Sequence, residues 1–251
     1  MAKILLIETS SEVCSAAISM DGKVVALSEN LETQSHAALL TLQIEECVRL
    51  SGIGLDQLDA VALSRGPGAY TALRVGASVA KGICYALDKP LLAVDTLFAL
   101  ALASRELTDN LESVIIDSGA KLQSSGSSIF AAMLDARRQE IWLALYDADM
   151  REIAAAQPLI LENNSFENFV FAHTTGIEIN RIVLSGNGVE KVRSGGNSER
   201  VVFSGLQKCS ARYLATLGEQ LLQKIDFQDI AYFEPFYMKP PNITTSSKLV
   251  F

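Results

Sequence analysis

Residues 3–30, KILLIETSSEVCSAAISMDGKVVALSEN, decide the fold. Three apolar, β-rich runs (KILLIET, VCSAAISM and KVVALSE) follow one another, and Asp21-Gly22 separates the last two. Asp-Gly between apolar runs predicts a tight hairpin, because the favoured two-residue turn needs a left-handed backbone that aspartate tolerates and glycine adopts freely. The first run is of the continuous apolar kind expected of a buried strand.

Working outward, SHAALLTLQIEECVRLSG (35–52) sets Leu39, Leu40, Ile44, Cys47 and Val48 at helical spacing and closes on Gly52. DAVALS then predicts a strand, TALRVGASVAKGICYAL a helix, PLLAVDT a strand and LFALALASREL a helix. Hairpin-linked strands followed by alternating helices and strands require a mixed sheet with helices packed on it, because parallel neighbours need a crossover. That is the ribonuclease H-like plan. Around TDNLESVIIDSGAKLQSSGSS the composition turns polar and rich in Ser and Gly, which predicts a domain junction, with a boundary near residue 105 and a mobile loop at Ser118–Ser128.

The expected units are residues 1–105 and a smaller 106–251. The second opens with IFAAMLDARRQEIWLALYD, two strands around a charged turn, as a shortened copy of the first unit would. RIVLSGNGVEKV reads as strand, glycine turn and short helix. KCSARYLATLGEQLLQKI reads as an amphipathic helix near 208–226 with Leu214, Leu217, Leu221, Leu222 and Ile225 on one side, able to pack back on the first unit. The tail, EPFYMKPPNITTSSKLVF, is Pro-rich; Met238–Pro241 cannot be helical, and such a tail straps onto a surface.

At 251 residues, 49% hydrophobic and 20% charged, the chain has the composition of a packed globule. It holds no apolar run of about 18 residues, and MAKILLIETS lacks the features of a signal peptide, so a cytoplasmic protein without a membrane partner is expected. Cys14, Cys47, Cys84 and Cys209 form no C-x-x-C pair, and His36 and His173 lie too far apart to complete a metal site. The formal charge of −8 disfavours tight nucleic-acid binding by the isolated chain, although a basic partner could supply the missing charge.

Two turns invite a phosphate. IETSS, with Glu8, Thr9, Ser10 and Ser11 at the end of the first strand, sits where sugar kinases, actin and chaperone ATPases hold phosphate and magnesium; it is equally a polar hairpin turn. RGPGAY, with Gly66 and Gly68, could aim helix-start N–H groups at an anion, but it is not a P-loop and has no lysine to reach a phosphate. Gly186 and Gly188 of GNGVE resemble the second glycine turn of two-domain ATPases, or serve only as a tight strand-to-helix turn.

Gly76, Ala77, Ala80 and Gly82 line the next helix with small residues, among apolar Leu73, Val79, Ile83 and Leu87. A glycine inside a helix costs about 1 kcal/mol relative to alanine, which argues for a close contact, either with the domain's own sheet or with a partner chain. The catalytic inventory is thin. His36 reads as a capping-region residue, Ser64 and Ser78 are not in G-x-S-x-G, and the Asp135, Arg137, Arg138, Glu140 cluster reads as a solvated hairpin tip or a contact surface.

Together, ILLIETSSEVCSAAIS, SHAALLTLQIEECV, LSRGPGAYTALRVGASVAKGICYAL, LLAVDTL, LDARRQEIW and EPFYMKPP resemble the bacterial tRNA threonylcarbamoyladenosine biosynthesis family TsaB across nearly the whole chain. The resemblance implies an ASKHA (actin-like ATPase, ribonuclease H-like) α/β fold with two related subdomains, each a mixed sheet flanked by helices. It implies a non-catalytic paralogue of TsaD, since TsaD carries a metal-binding histidine pair that this chain cannot supply. An interface with TsaD formed by Tyr70, Thr71, Leu73, Arg74, Ala77, Ser78 and Lys81 follows, able to self-associate when TsaD is absent. No cofactor is then required by this chain: ATP and metal belong on partner subunits, TsaE is a third component, and tRNA is reached only through the complex. Glu8 stands where many nucleotide-binding relatives have Asp. A small-molecule kinase of the sugar-kinase type, using Glu8 and the glycine turns, is the alternative; a stand-alone glycoprotease is disfavoured by the histidine count.

Overall fold

The computed structural model describes residues 1–30, 36–110, 127–193 and 200–239. The opening runs form an antiparallel meander of β1 (Lys3–Glu8), β2 (Cys14–Met20) and β3 (Lys23–Asn30), turned at Asp21 (φ 49°) and Gly22 (φ 73°) as the Asp-Gly pair predicts. After α1 (His36–Ser51), β4 (Ala60–Gly66) pairs parallel with β1, and after α2 (Tyr70–Leu87), β5 (Leu91–Asp95) pairs parallel with β4. The sheet order is β3-β2-β1-β4-β5. Strand β1 is central, which is why Ile4 to Ile7 are buried on both faces and the run is continuously apolar rather than alternating.

The second sheet repeats this pattern. β6 (Ser127–Asp135), β7 (Glu140–Tyr146) and β8 (Glu152–Ile160) make the meander, followed by α4 (Ser165–His173), β9 (Ile179–Ser185), α5 (Val189–Arg193) and β10 (Val201–Phe203). Its order, read from the matching edge, is β8-β7-β6-β9-β10, with β9 parallel to β6 and β10 parallel to β9. The protein therefore has the two-subdomain ASKHA-like α/β fold that its sequence predicts.

Between the sheets lies α3 (Thr96–Asn110), whose LFALALA start is apolar all round because both sides are covered. Leu97, Leu100 and Ala101 join the core under the second sheet, while Ala99 and Leu102 join that of the first. The expected boundary near residue 105 falls within this helix. Helices α1 and α2 cover the opposite face of the first sheet, packing Leu40, Ile44, Cys47, Ala80 and Cys84 on Leu5, Ile7 and Leu63.

The late amphipathic helix is shorter than its periodicity suggests. Ala211–Leu214 form a 3-10 turn capped by Ser210, and α6 spans only Ala215–Gln223. Leu214 and Leu217 are buried on Ile4 and Leu6 of the first sheet. Ile225, expected on the same side, is 72% exposed, because the chain has left the helix and reversed to φ 56° there. Of the expected loop Ser118–Ser128, residues 118–126 lie outside the described residues, as do Pro240 and Pro241, whereas Ser127 and Ser128 already belong to β6. Among the described residues no helix is long and apolar enough to cross a membrane.

Candidate functional site

Parallel strands β1 and β4 bring Glu8 and Ser64 side by side at their carboxyl ends. Glu8 is buried, and its Oε1 accepts hydrogen bonds from Ser10 N (2.6 Å) and Ser64 Oγ (2.9 Å). Burial pushes its carboxyl above the ordinary range; the hydrogen bonds from Ser10, Ser64 and Thr9 offset that in part. The Gly66–Gly68 turn lies directly on this corner. Ala69 N donates to Ser10 O at 2.7 Å and Gly66 N to Thr96 Oγ1 at 3.1 Å. A Cβ on Gly68 would run into Ser10 O, and one on Gly76 into Thr9 Oγ1. These glycines thus seat the start of α2 on the β1–β2 turn, and the Ser10 and Gly66 amides, which a phosphate would require, already have partners inside the chain.

The GNG turn behaves in the same way. Gly186 N donates to Leu206 O (2.6 Å) and Gly188 N to Met133 O (3.3 Å), and a Cβ on Gly186 would collide with Met133 O. Asn187, between them, accepts from Asp135 N through Oδ1 and donates to Glu12 Oε2 through Nδ2, both at 2.8 Å. The two turns that would grip a nucleotide from opposite sides are therefore tied to one another.

The Ser10 hydroxyl is the exception, buried without a hydrogen-bond partner, whereas the two histidines are engaged. His36 Nε2 lies 3.0 Å from Ser11 O and His173 Nδ1 2.9 Å from Phe169 O. Among the described residues no cluster of three or more His, Cys, Asp or Glu is placed to hold a metal ion. The four cysteines are buried and free, and burial raises the thiol pKa of Cys14 and Cys47 to about 11.

Helix α2 divides the seven expected interface residues into three groups. Leu73 and Ala77 are only 1% and 5% exposed, enclosed by the chain's own core, so their expected place on a partner-facing surface is corrected. Tyr70, Arg74 and Lys81 are held by the chain's own C-terminal segment. That segment bridges to the edge of β5 through Gln228 N and Leu91 O (2.8 Å), sinks Phe233 into the core beneath α2, and donates Phe236 N to Arg65 O at 2.7 Å. Tyr237 then stacks against Tyr70 with ring centroids 4.6 Å apart and accepts from Arg74 Nε at 3.2 Å. Lys81 Nζ donates to Ala231 O and Phe233 O, each at 3.2 Å. Only Thr71 and Ser78 are exposed without such a contact; they continue into Gly82 and Tyr85 along one stripe of the helix. A Cβ on Gly82 would meet nothing within 4 Å.

Glu12, Asn187, Phe233 and Tyr237 are the site residues that sequence reasoning passed over. The Pro-rich tail already marks a strap, and the aromatic spacing in FEPFY is the signal for its anchors; Asn187 lies inside the singled-out GNGVE turn, and Glu12 carries no signal.

A family model described as TsaD, tRNA N6-adenosine threonylcarbamoyltransferase, matches residues 29–246. The chain belongs to this family. Within it the chain is similar to the tRNA threonylcarbamoyladenosine biosynthesis protein TsaB of Haemophilus influenzae, 38% identical over 104 residues that make up 41% of this chain and 44% of that protein. TsaB of Escherichia coli is 31% identical over 147 residues, 59% of this chain and 56% of that one. The chain thus spans about half the length of the TsaB relatives it matches. The structure of YeaZ from Pseudomonas aeruginosa superposes with a TM-score of 0.72 at 24% identity, covering 94% of this chain and all of that one, which establishes the shared fold.

Proposed function

We propose that this chain is a non-catalytic scaffold subunit in tRNA threonylcarbamoyladenosine formation, binding and stabilising a TsaD-type transferase through the open stripe of α2. The observation that carries this reading is Gly82: an exposed helical position without a Cβ and with empty space beside it. Glycine there weakens the helix by about 1 kcal/mol relative to alanine, and its use is to let a second backbone approach closely. Thr71, Ser78 and Tyr85 supply the rim of that contact.

The names of the relatives support the pathway, and the occupied turns support the lack of chemistry. In this reading the threonylcarbamoyl group passes from threonylcarbamoyl-adenylate to an adenosine beside the anticodon on the transferase subunit, in the cytoplasm. ATP and metal serve the transferase and a TsaE-type ATPase, tRNA is reached through the assembly, and two copies of this chain pair when the transferase is absent. A sugar-kinase-like reading would need Glu8 and the glycine-turn amides to leave their internal partners, which argues against it.

The test is co-elution with a TsaD-type transferase on gel filtration. Gly82→Arg places a long side chain in the stripe and should abolish co-elution while the melting temperature of the free chain, measured dilute enough that it is a monomer, is kept; retained co-elution overturns the assignment. Titration of the lone chain with Mg-ATP provides the contrast: binding heat favours the kinase.

A further inference from the structure

The β6–β7 hairpin closes through residues 136–139, and its two consecutive arginines, Arg137 (φ 69°) and Arg138 (φ 49°), both hold the left-handed backbone. Asparagine and glycine take that conformation more readily, so two long cationic side chains occupy positions that turn geometry disfavours. The loop itself is well tied. Arg137 N donates to Asp135 Oδ1 (2.6 Å), Ala136 N to Glu140 O (3.1 Å) and Leu161 N to Gln139 O (2.6 Å). The tip is held as a shaped projection.

The neighbouring carboxylates are already neutralised. Asp135 pairs with Lys191 Nζ at 2.6 Å, and Glu140 pairs with Lys239, which also lies over the Trp142 ring. Arg137 and Arg138 are exposed, and among the described residues neither has an ion-pair partner. With Lys191 set against Asp135 and Lys239 against Glu140, the charge of the two arginines at the tip is offset by neither pair, on a chain whose formal charge is −8. Residues 136–139 carry no large hydrophobic side chain, and the exposed Ile160 opposite Glu140 is a single apolar residue beside the tip rather than the cluster of anchors that a protein partner would bury. Adjacent guanidinium forks with no carboxylate to engage suit paired phosphodiester oxygens, each fork able to bind bidentately.

We propose that the Arg137–Arg138 tip is a contact for the phosphodiester backbone of RNA and, resting on the function proposed above, of the tRNA being modified. On an otherwise repulsive acidic surface the tip is a local attractive point, and it fixes the approach of the RNA without reading its sequence.

The test titrates fluorescent unmodified tRNA with the transferase complex over a range of salt, and with the free chain at about 20 mM salt, where screening is weakest. Arg137→Asn combined with Arg138→Gly removes the charge while suiting the turn backbone better, so misfolding cannot imitate the result. This variant should bind tRNA several-fold more weakly in both settings, with a log–log salt slope shallower by about 1.5, as expected when two phosphate contacts are lost. Arg137→Lys with Arg138→Lys should keep most of the affinity. Unchanged affinity and slope overturn the proposal, and so does a variant that binds RNA normally as a free chain but fails to join the transferase, which would make the tip a protein contact. Should the unaltered chain not join the transferase at all, the scaffold reading fails, and the free-chain titration alone decides the role of the tip.

Discussion

Asn187 Nδ2 donates to Glu12 Oε2 at 2.8 Å across 175 positions of sequence. This bond joins the β1–β2 turn of the first subdomain to the glycine turn of the second. The strap closes the same seam from another side, running from Phe236 on Arg65 to Lys239 on Glu140. In a two-domain nucleotide-binding protein these turns stand apart to admit phosphate; here they are each other's ligand.

Asn187→Ala removes the donor to Glu12 and the acceptor for Asp135 N together. A stability loss of about 1–3 kcal/mol is expected in urea unfolding, the cost of leaving part-buried polar groups unpaired. Unchanged stability would mean that the tie between subdomains contributes nothing.

Glu8 makes stability fall as pH rises above the ordinary carboxylate value. Its ordinary value is 4.5, and burial raises it in the folded chain. Between those two values the folded state retains a proton that the unfolded state has released, so the contribution is full below pH 4.5 and is lost as pH rises through the folded value. Glu8→Gln cannot ionise. Thermal unfolding of this variant should match the parent near pH 4 and exceed it at pH 8; a parent that gains on the variant as pH rises contradicts the assignment.

Two glycine substitutions separate steric collision from backbone strain. Gly186 (φ +98°) has Met133 O and Leu100 Cδ2 where a methyl would go, whereas Gly205 (φ +78°) has nothing within 4 Å. Gly205→Ala should cost about 1 kcal/mol through the left-handed backbone alone. Gly186→Ala should cost about 3 kcal/mol or more, because the turn, the strand end and α3 must all shift. Equal losses in chemical denaturation would refute the packing argument.

Charges placed on two sides of α2 should give opposite results. Ala77→Glu buries a carboxylate in the first core and should destabilise by about 3 kcal/mol or more, so any loss of partner binding would be indirect. Gly82→Arg sits in solvent in the single chain and, at a dilution where the chain is monomeric, should leave the melting temperature unchanged or slightly raised, since arginine favours a helix over glycine by up to about 0.8 kcal/mol. Calorimetry of the free chains distinguishes the two before any binding assay.

Much of the fold was readable locally. Asp21-Gly22 adopted the turn that its backbone preferences dictate, and the repeated order of hairpin, helix and strand required two mixed sheets. The late helix was over-extended because Ile225 continues the apolar spacing, while the reversal that ends the helix before it leaves no mark in periodicity.

The candidate site was legible only in outline. Gly76, Ala77 and Gly82 are alike as small helical residues, yet one rests on Thr9, one lies in the core and one faces open space. Helix α2 is amphipathic, but its small residues fall on both the buried and the exposed side, so spacing alone does not separate a packed glycine from an open one. The order of elements, the chirality of the turns and the apolar faces were determined by the sequence alone, because each depends on neighbours within a few positions. Tertiary structure decided that the phosphate-type turns bind each other, that the strap covers Tyr70, Arg74 and Lys81, and that Gly82 remains open. Those outcomes depend on residues more than a hundred positions apart meeting within a few ångströms, which only the packed chain brings about.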